Sequence, residues 1–522
     1  MSRDHQHTML LNELLDGLID TTGLPAVELT GISLDSRQVV QGNFYLAVGG
    51  SVSHGLRFAD AAIAAGAAVI AIDPQDRHAY DDTLQTLEAQ GALVVSIPSL
   101  SQRCGEIASR FHRDPDRRLT VVAVTGTDGK TSVCRFIAQA LTSIGQPCGY
   151  IGTLGWGIAG EDQAMVMRPT ALTTPDSVAL RRILAELYSQ GAVVVALEAS
   201  SHGLAEGRLD GLSIDVAVLT NLGRDHLDYH KTIENYQAAK ASLFDWETLR
   251  SIVVNTNDEF GRSLLRNKRQ SVQVVDYAAS SGNKDKTAAE ISAGENTIVC
   301  RASHARPTAE GLQFTLSDAD FSKSISSSLM GMFNIDNLLA CHAVLRALGH
   351  AANEASSTLE AIQPVTGRME RFATDCRPAP VAIVDYAHTP QALDAAIAAV
   401  RPHCNGELWV VFGCGGDRDS GKRAPMGRAA EAADHIVVTD DNPRTEASRL
   451  IIAAILDGMR QPSNATVISD RSNAIRHAMS AATAQDIVLI AGKGHEDYQV
   501  VGTEKRSYSD RSLVDQLLQE AC

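Results

Sequence analysis

The chain has 522 residues, with 46 Lys plus Arg against 62 Asp plus Glu, a formal charge of −16, 44% hydrophobic and 5% aromatic residues. At about 100–200 residues per domain, that length implies three or four domains, and the apolar content excludes disorder as the dominant state. The acidic balance disfavours nucleic acid and anionic membranes as partners, although a local basic pocket can still hold an anion. No apolar run reaches the ~18 residues of a membrane span, and the start MSRDHQHTML lacks the layout of a secretory signal. Nine scattered Cys without a Cys-x-x-Cys pair argue against a zinc ribbon and a disulfide framework, so the chain is expected to be cytoplasmic.

In chain order, residues 1 to about 105 hold short apolar segments and an alanine-rich stretch, FADAAIAAGAAVIAID, which reads as helical. From Arg118, β-branched apolar runs alternate with helical stretches, the pattern of a parallel sheet covered by helices. The polar, Ser/Ala-rich segment from about 276 to 330 reads as a β-rich appendage. Composition shifts again around Thr366 to Pro380, and a second alternating set runs to the C-terminus. An α/β protein is predicted, with boundaries at 1–105, 106–363 and 364–522.

The strand ends carry the chemistry. LTVVAV ends in TGTDGKTS, VVVAL in EASSHG, DVAVLT in NLGRDHLD, VAIV in DYAHTP, LWVVF in GCGGDRD, HIVVT in DDNPR and IVLIA in GKGHE. Ligands of open parallel sheets bind outside the carboxyl ends of the strands, so these polar clusters are the candidate sites.

Thr125, Gly126, Thr127, Asp128, Gly129, Lys130 and Thr131 follow a strand and open the helix TSVCRFIAQALTSIG, which Gly145 closes. The glycines let backbone N–H groups wrap a phosphate, Lys130 supplies charge to the terminal phosphates, and Thr131 offers a hydroxyl to Mg²⁺. Gly126 stands three residues before Gly129, a shorter spacing than the full Walker pattern. This loop, with TTPD (173–176), EASSHGL (198–204), NLGRDHLDYH (221–230), FNIDN (333–337), GRMERF (367–372) and VDYAHTP (384–390), resembles the Mur ligases over nearly the whole chain. The shortened loop is also similar to that of folylpolyglutamate synthases.

The resemblance implies an ATP-dependent, amide-forming ligase that passes through an acyl phosphate. Its expected architecture is a smaller N-terminal UDP-binding α/β domain, a central P-loop-type ATPase domain and a C-terminal Rossmann-like domain for the incoming amino acid. It further implies that Glu198 and His226 hold Mg²⁺ with Thr131, and that Lys240 is carbamylated to bind a second ion. From spacing alone Lys240 falls on the apolar stripe of its helix, with Ile233, Tyr236, Leu243 and Phe244, where it could simply snorkel to solvent. Asn334 and Asn337 resemble adenine-side residues, with helix capping as the alternative. Arg368 and Asp385 resemble residues that reach the nucleotide. Thr389-Pro390 is predicted to start a helix as N-cap and first residue.

Asp441-Asn442-Pro443-Arg444 marks, within the family, members that add meso-diaminopimelate rather than L-lysine; a surface turn is the alternative. Arg418, Gly492 and Glu496 complete that pocket by resemblance, since a planar guanidinium suits a carboxylate and acidic groups suit the amines. The UDP-N-acetylmuramoyl-dipeptide is expected near Leu34, Ser36, Ser51, Val52 and Ser53, and at Thr173, Thr174, Ser200, Glu206 and Arg208. Three positions depart from the usual pattern: Asp128 for Asn, Glu206 for Gln or His, and Leu172 where Asn often precedes TTP. The resemblance implies UDP-N-acetylmuramoyl-L-Ala-D-Glu, meso-diaminopimelate and ATP as partners, and a monomer. A folate-directed ligase and a nucleotide-gated ATPase switch remain the alternatives, the first disfavoured by the DNPR segment.

Overall fold

The computed structural model describes residues 7–50, 53–160, 167–266, 271–279, 296–374, 376 and 378–520. They form two compact units, Met1–Val275 and Asp276–Cys522.

The first unit opens with a four-stranded parallel sheet, Gly31–Ser33, Asn43–Leu46, Val69–Ile72 and Leu93–Ser96 in sequential order. Alternate side chains serve two cores, Phe44 and Leu46 on one face and Tyr45 and Ala47 on the other. The alanine-rich stretch read as one helix divides here. Ala59–Ala64 is helical, Gly66 turns the chain at φ 105°, and the β-branched Val69–Ile72 joins the sheet. The alanines concealed a strand because burial on both sides of a parallel sheet erases alternation.

The larger sheet of this unit runs in the order Ser251–Asn255, Val216–Leu219, Thr120–Thr125, Val194–Glu198, Cys148–Gly152 and Gly155–Ile158. All pairs are parallel except the last, an antiparallel edge. Register aligns the carboxyl ends: Glu198 lies opposite Val124, and Leu219 opposite Thr125. Helix Ser177–Ser189 buries Leu180, Ile183, Leu184 and Leu187 against Val121, Ala123, Val195 and Leu197.

In the second unit, Thr297–Pro307, Leu312–Asp318 and Phe321–Ser327 form an antiparallel meander, the β-rich appendage expected from composition. Its buried Asp318 accepts from His342 Nε2 at 2.9 Å and Arg346 Nε at 2.6 Å on helix Phe333–Ala347. A six-stranded sheet follows in the order Glu370–Phe372, Val381–Asp385, Ile487–Ala491, Leu408–Phe412, His435–Val438 and Ala465–Val467, parallel but for the first strand. Helix Pro390–Val400 begins as predicted, with Thr389 Oγ1 accepting from Ala392 N at 3.2 Å. The meander side of this unit is pinned by His403, whose Nε2 accepts from Gly331 N at 2.9 Å while Nδ1 donates to Thr308 O at 2.8 Å.

All seven apolar runs singled out above are strands. Among the described residues seven cysteines are free thiols, whereas Cys376 is disulfide-bonded, which the unpatterned spacing did not anticipate. Among the described residues no helix is long and apolar enough to cross a membrane.

Candidate active site

After Thr125 the chain turns through Gly126 (φ 150°) and Gly129 (φ 83°) into helix Lys130–Ser143. A Cβ on Gly126 would lie 1.8 Å from Thr220 Oγ1, so the approach admits glycine alone. The loop is fastened to the segment beyond strand Val216–Leu219. Thr127 N donates to Asn221 O at 3.0 Å, Asp128 N to Asn221 Oδ1 at 2.9 Å, and Thr220 Oγ1 to Asp128 O at 2.6 Å. Gly223 N donates to Thr127 Oγ1 at 2.7 Å. Asp128 itself stays exposed.

Two lysines meet on this loop. Lys130 Nζ donates to the carbonyls of Gly126 (2.9 Å) and Thr127 (2.8 Å), and Lys240 Nζ donates to the same Gly126 carbonyl at 2.7 Å. Lys240 is 1% exposed, so the snorkelling alternative is excluded. Burial first, and the neighbouring Lys130 charge second, pull its pKa down to about 7. One turn earlier, Tyr236 places its ring 4.6 Å from the Lys240 amine, and its hydroxyl pairs with Thr127 Oγ1 at 2.9 Å.

Glu198 is fully buried at the end of its strand. Its Oε1 accepts from Tyr150 Oη at 2.6 Å and Thr153 N at 3.0 Å, and Oε2 accepts from Thr153 Oγ1 at 3.0 Å. It caps no helix; Ser200 caps the next one, accepting from Gly203 N at 3.1 Å. A chain of contacts leads outward. Thr153 Oγ1 lies 3.2 Å from Thr173 Oγ1, Thr174 Oγ1 donates to Glu198 O at 2.7 Å, and Arg208 Nη1 donates to Thr174 O at 2.8 Å. Glu206 clasps Arg208 at 3.0 Å (Nε) and 2.5 Å (Nη2). Thr174 and Ser200 are bonded to each other, while Leu172 is exposed.

His226 adopts a left-handed φ of 53° at the start of a one-turn helix and packs edge-on against His202 with ring centres 4.8 Å apart. His202 also faces Tyr229 at 4.2 Å and His230 at 5.5 Å. Burial, reinforced by the mutual proximity of the rings, lowers the pKa of both His202 and His230. The donor chemistry fits a hard divalent cation at Thr131 and Glu198, whose Oε2 keeps a free lone pair, with one imidazole from His226. Lys240 fits only as a carbamate, since an ammonium has no lone pair.

The second unit gathers another set. Asp441 is buried at the end of strand His435–Val438, and burial raises its pKa. A Cβ on Gly492 would meet Asp441 Oδ2 at 2.7 Å. Asn442 Nδ2 donates to Glu496 Oε2 at 3.2 Å. Arg444 holds φ at 53°, its N donating to Val500 O at 3.1 Å and its Nη1 to Gly416 O at 2.8 Å. The tetrapeptide is therefore not a free surface turn but a segment built into the hairpin Tyr498–Val501 and Glu504–Ser507. Arg418 stands exposed in the loop after Leu408–Phe412. Asp385, its pKa raised by burial, accepts from Met369 N at 2.8 Å and Ala387 N at 2.9 Å; Arg368 lies over the Tyr386 ring at 4.8 Å.

Three family models match in order: "Mur ligase family, catalytic domain" over residues 28–112, "Mur ligase middle domain" over 124–345 and "Mur ligase, glutamate ligase domain" over 367–494. A curated relative from Xanthomonas campestris pv. campestris, a UDP-N-acetylmuramoyl-L-alanyl-D-glutamate–2,6-diaminopimelate ligase, is 42% identical over 98% of this chain and 97% of its own. The chain belongs to the Mur ligase family. A relative of the same name from Pseudomonas putida is 41% identical to this Mur ligase, over 93% of the chain and 94% of its own. A solved structure with that name superposes with a TM-score of 0.71 at 33% identity, covering 98% of this chain and 99% of the other.

In this Mur ligase the first unit brings together the loop Thr125–Thr131 with Lys240, and Glu198 with Thr173, Thr174, Ser200, Glu206 and Arg208. Leu34 and Ser36 flank Asp35, which caps the turn Ser36–Gln38 and pairs with Arg37 at 2.7 Å. Ser53 accepts from Gly50 N at 3.0 Å through its carbonyl, and Ser51 and Val52 lie outside the described residues. Asn334 does not cap its helix, as the alternative had it. It lies one residue inside, donating to Met330 O at 2.8 Å and accepting from Asn337 Nδ2 at 2.9 Å. The sequence assigns no site role to Tyr150, Thr153, Asn221, Tyr236 or Lys493, although it sets Tyr236 on the stripe of Lys240. Of these, Tyr236 had its position legible in the sequence, four residues before Lys240 on one helical face, but not its contact with the loop.

Proposed function

We propose that this Mur ligase couples ATP cleavage to addition of meso-diaminopimelate to the D-glutamyl γ-carboxylate of UDP-N-acetylmuramoyl-L-alanyl-D-glutamate, in cytoplasmic peptidoglycan precursor synthesis. The observation that carries the specificity is the Asp441-to-Arg444 segment, buried through Pro443 with Arg444 half-buried, which joins acidic acceptors and a guanidinium in one place. The assignment of 1–105 to the UDP end, 106–363 to ATP and 364–522 to the amino acid belongs to the same proposal.

The γ-carboxylate attacks the γ-phosphorus of ATP, giving an acyl phosphate and ADP; the free amine of meso-diaminopimelate then attacks the acyl carbon, expels phosphate and loses a proton. Lys130 leaves its own loop carbonyls to meet the β/γ-phosphates, while Gly126, Thr127, Asp128 and Gly129 offer backbone N–H groups. Thr131, Glu198 and His226 would hold Mg²⁺, which neutralises phosphate charge during transfer. The depressed pKa of Lys240 supports carbamylation, because the neutral amine is the form that adds CO₂, yielding a carbamate and a proton. Asn334, Arg368 and Asp385 are assigned to the nucleotide, and Leu34, Ser36, Ser51, Val52, Ser53, Thr173, Thr174, Ser200, Glu206 and Arg208 to the UDP-sugar peptide. Arg444 and Arg418 take the distal carboxylate of the amino acid, with Asp441, Asn442, Pro443, Gly492 and Glu496 around its ammonium.

The test is phosphate release with ATP and UDP-N-acetylmuramoyl-L-Ala-D-Glu, comparing meso-diaminopimelate, L-lysine and no amino acid. Turnover with meso-diaminopimelate alone is expected. Turnover with lysine discards the specificity, and equal release in all three returns the ATPase switch.

A further inference from the structure

Lys493 is a fully buried lysine that no step above uses. Removing an ammonium from water is costly unless every proton finds an acceptor. Its Nζ donates to Glu496 Oε2 at 2.9 Å and Asn442 Oδ1 at 3.1 Å, lies 3.9 Å from Asp441 Oδ1, and faces the Tyr498 ring at 5.6 Å. The Asn442 oxygen also accepts from Val500 N at 2.9 Å. Two donors thus converge on Oδ1, so the amide cannot flip without setting its NH₂ against both. Its Nδ2 is thereby aimed at Glu496 Oε2. That oxygen receives Lys493 and Asn442 together, whereas Oε1 accepts no hydrogen bond from the described residues.

We infer that Lys493 is a positioning residue for the incoming amino acid: it fixes the Asn442 amide and one Glu496 oxygen, leaving Glu496 Oε1 and the Asp441 carboxylate to receive the ligand's ammonium. The inference rests on the reading of Asp441–Arg444 as the amino-acid pocket. Lys493 does not touch the ligand, being sealed beneath the groups that do. It also keeps two carboxylates tolerable side by side, so the pocket stays acidic toward an amine without collapsing on itself.

The test uses the full chain carrying Lys493→Met, Lys493→Arg or Arg444→Ala, with KM determined separately for meso-diaminopimelate, ATP and the UDP-dipeptide. For Lys493→Met the meso-diaminopimelate KM is expected to rise about tenfold or more, with the other two KM values unchanged. Lys493→Arg restores part of it, because the charge returns while the single-nitrogen geometry does not. A merely structural lysine would raise all three KM values together and lower the melting temperature. An unchanged meso-diaminopimelate KM in Lys493→Met, with a raised one in Arg444→Ala, overturns the inference and spares the pocket. Unchanged values in both variants overturn the pocket itself. Where Lys493→Met does not fold, Lys493→Arg decides: a selective rise in meso-diaminopimelate KM supports the inference, and none overturns it.

Discussion

Replacing Lys240 with Met separates the stability of the fold from its activity. The amine is 1% exposed, and its pKa falls from 10.5 to about 7 on folding. At about 1.4 kcal/mol per unit, that shift amounts to roughly 5 kcal/mol of bias against the charged form. Between pH 7 and 10.5 the unfolded chain binds the proton and the folded chain does not, so this lysine makes stability rise with pH across that window. Methionine fills similar volume without titrating. Lys240→Met is therefore expected to be more stable than the parent by several kcal/mol at pH 7. At the alkaline end it is less stable by about 1 kcal/mol, the value of the lost bond to the Gly126 carbonyl. The two curves cross. Urea unfolding in bicarbonate-free buffer at half-unit pH steps, followed by fluorescence of Trp156 and Trp246 in the same unit, measures the difference, and ligase turnover is expected to vanish. A stability difference that stays constant from pH 7 to 10 would refute the argument.

Gly126→Ala forces a methyl to within 1.8 Å of Thr220 Oγ1; loss of ATP binding by calorimetry is expected, and wild-type affinity would show that the loop can yield. Asp385→Asn sets an amide NH₂ against one of two backbone donors, Met369 N or Ala387 N, and lowers the stability of the second unit by about 1–3 kcal/mol in urea titrations. Glu206→Gln removes a carboxylate assigned to the UDP-sugar peptide and loosens its clasp on Arg208; the KM for the UDP-dipeptide is expected to rise about 2–10-fold, and a fall would mean that Glu206 only competes with the substrate for Arg208.

The strands were legible because fully buried parallel strands write uninterrupted β-branched runs, and the phosphate loop because glycine, lysine and threonine stand in fixed order between strand and helix. The helix at Ala59–Ala64 and strand at Val69–Ile72 were not separable by pattern, since the alanines favour a helix throughout and a four-residue strand buried on both faces shows no alternation of its own. The partners of Glu198 were beyond reach for a different reason. Tyr150 and Thr153 lie more than 40 residues away, and only the register of neighbouring strands brings them to its carboxylate. Lys493 was visible in GKGHE yet indistinguishable from a surface lysine, because its burial depends on the hairpin that follows.

Lys130 rests on two carbonyls of its own loop. An anion arriving there competes with the protein's main chain for a single ammonium, so its affinity is set by an exchange of hosts rather than by capture of a bare charge. The same exchange run backward frees the product. A relay with a resting position of this kind has departure written into it alongside arrival.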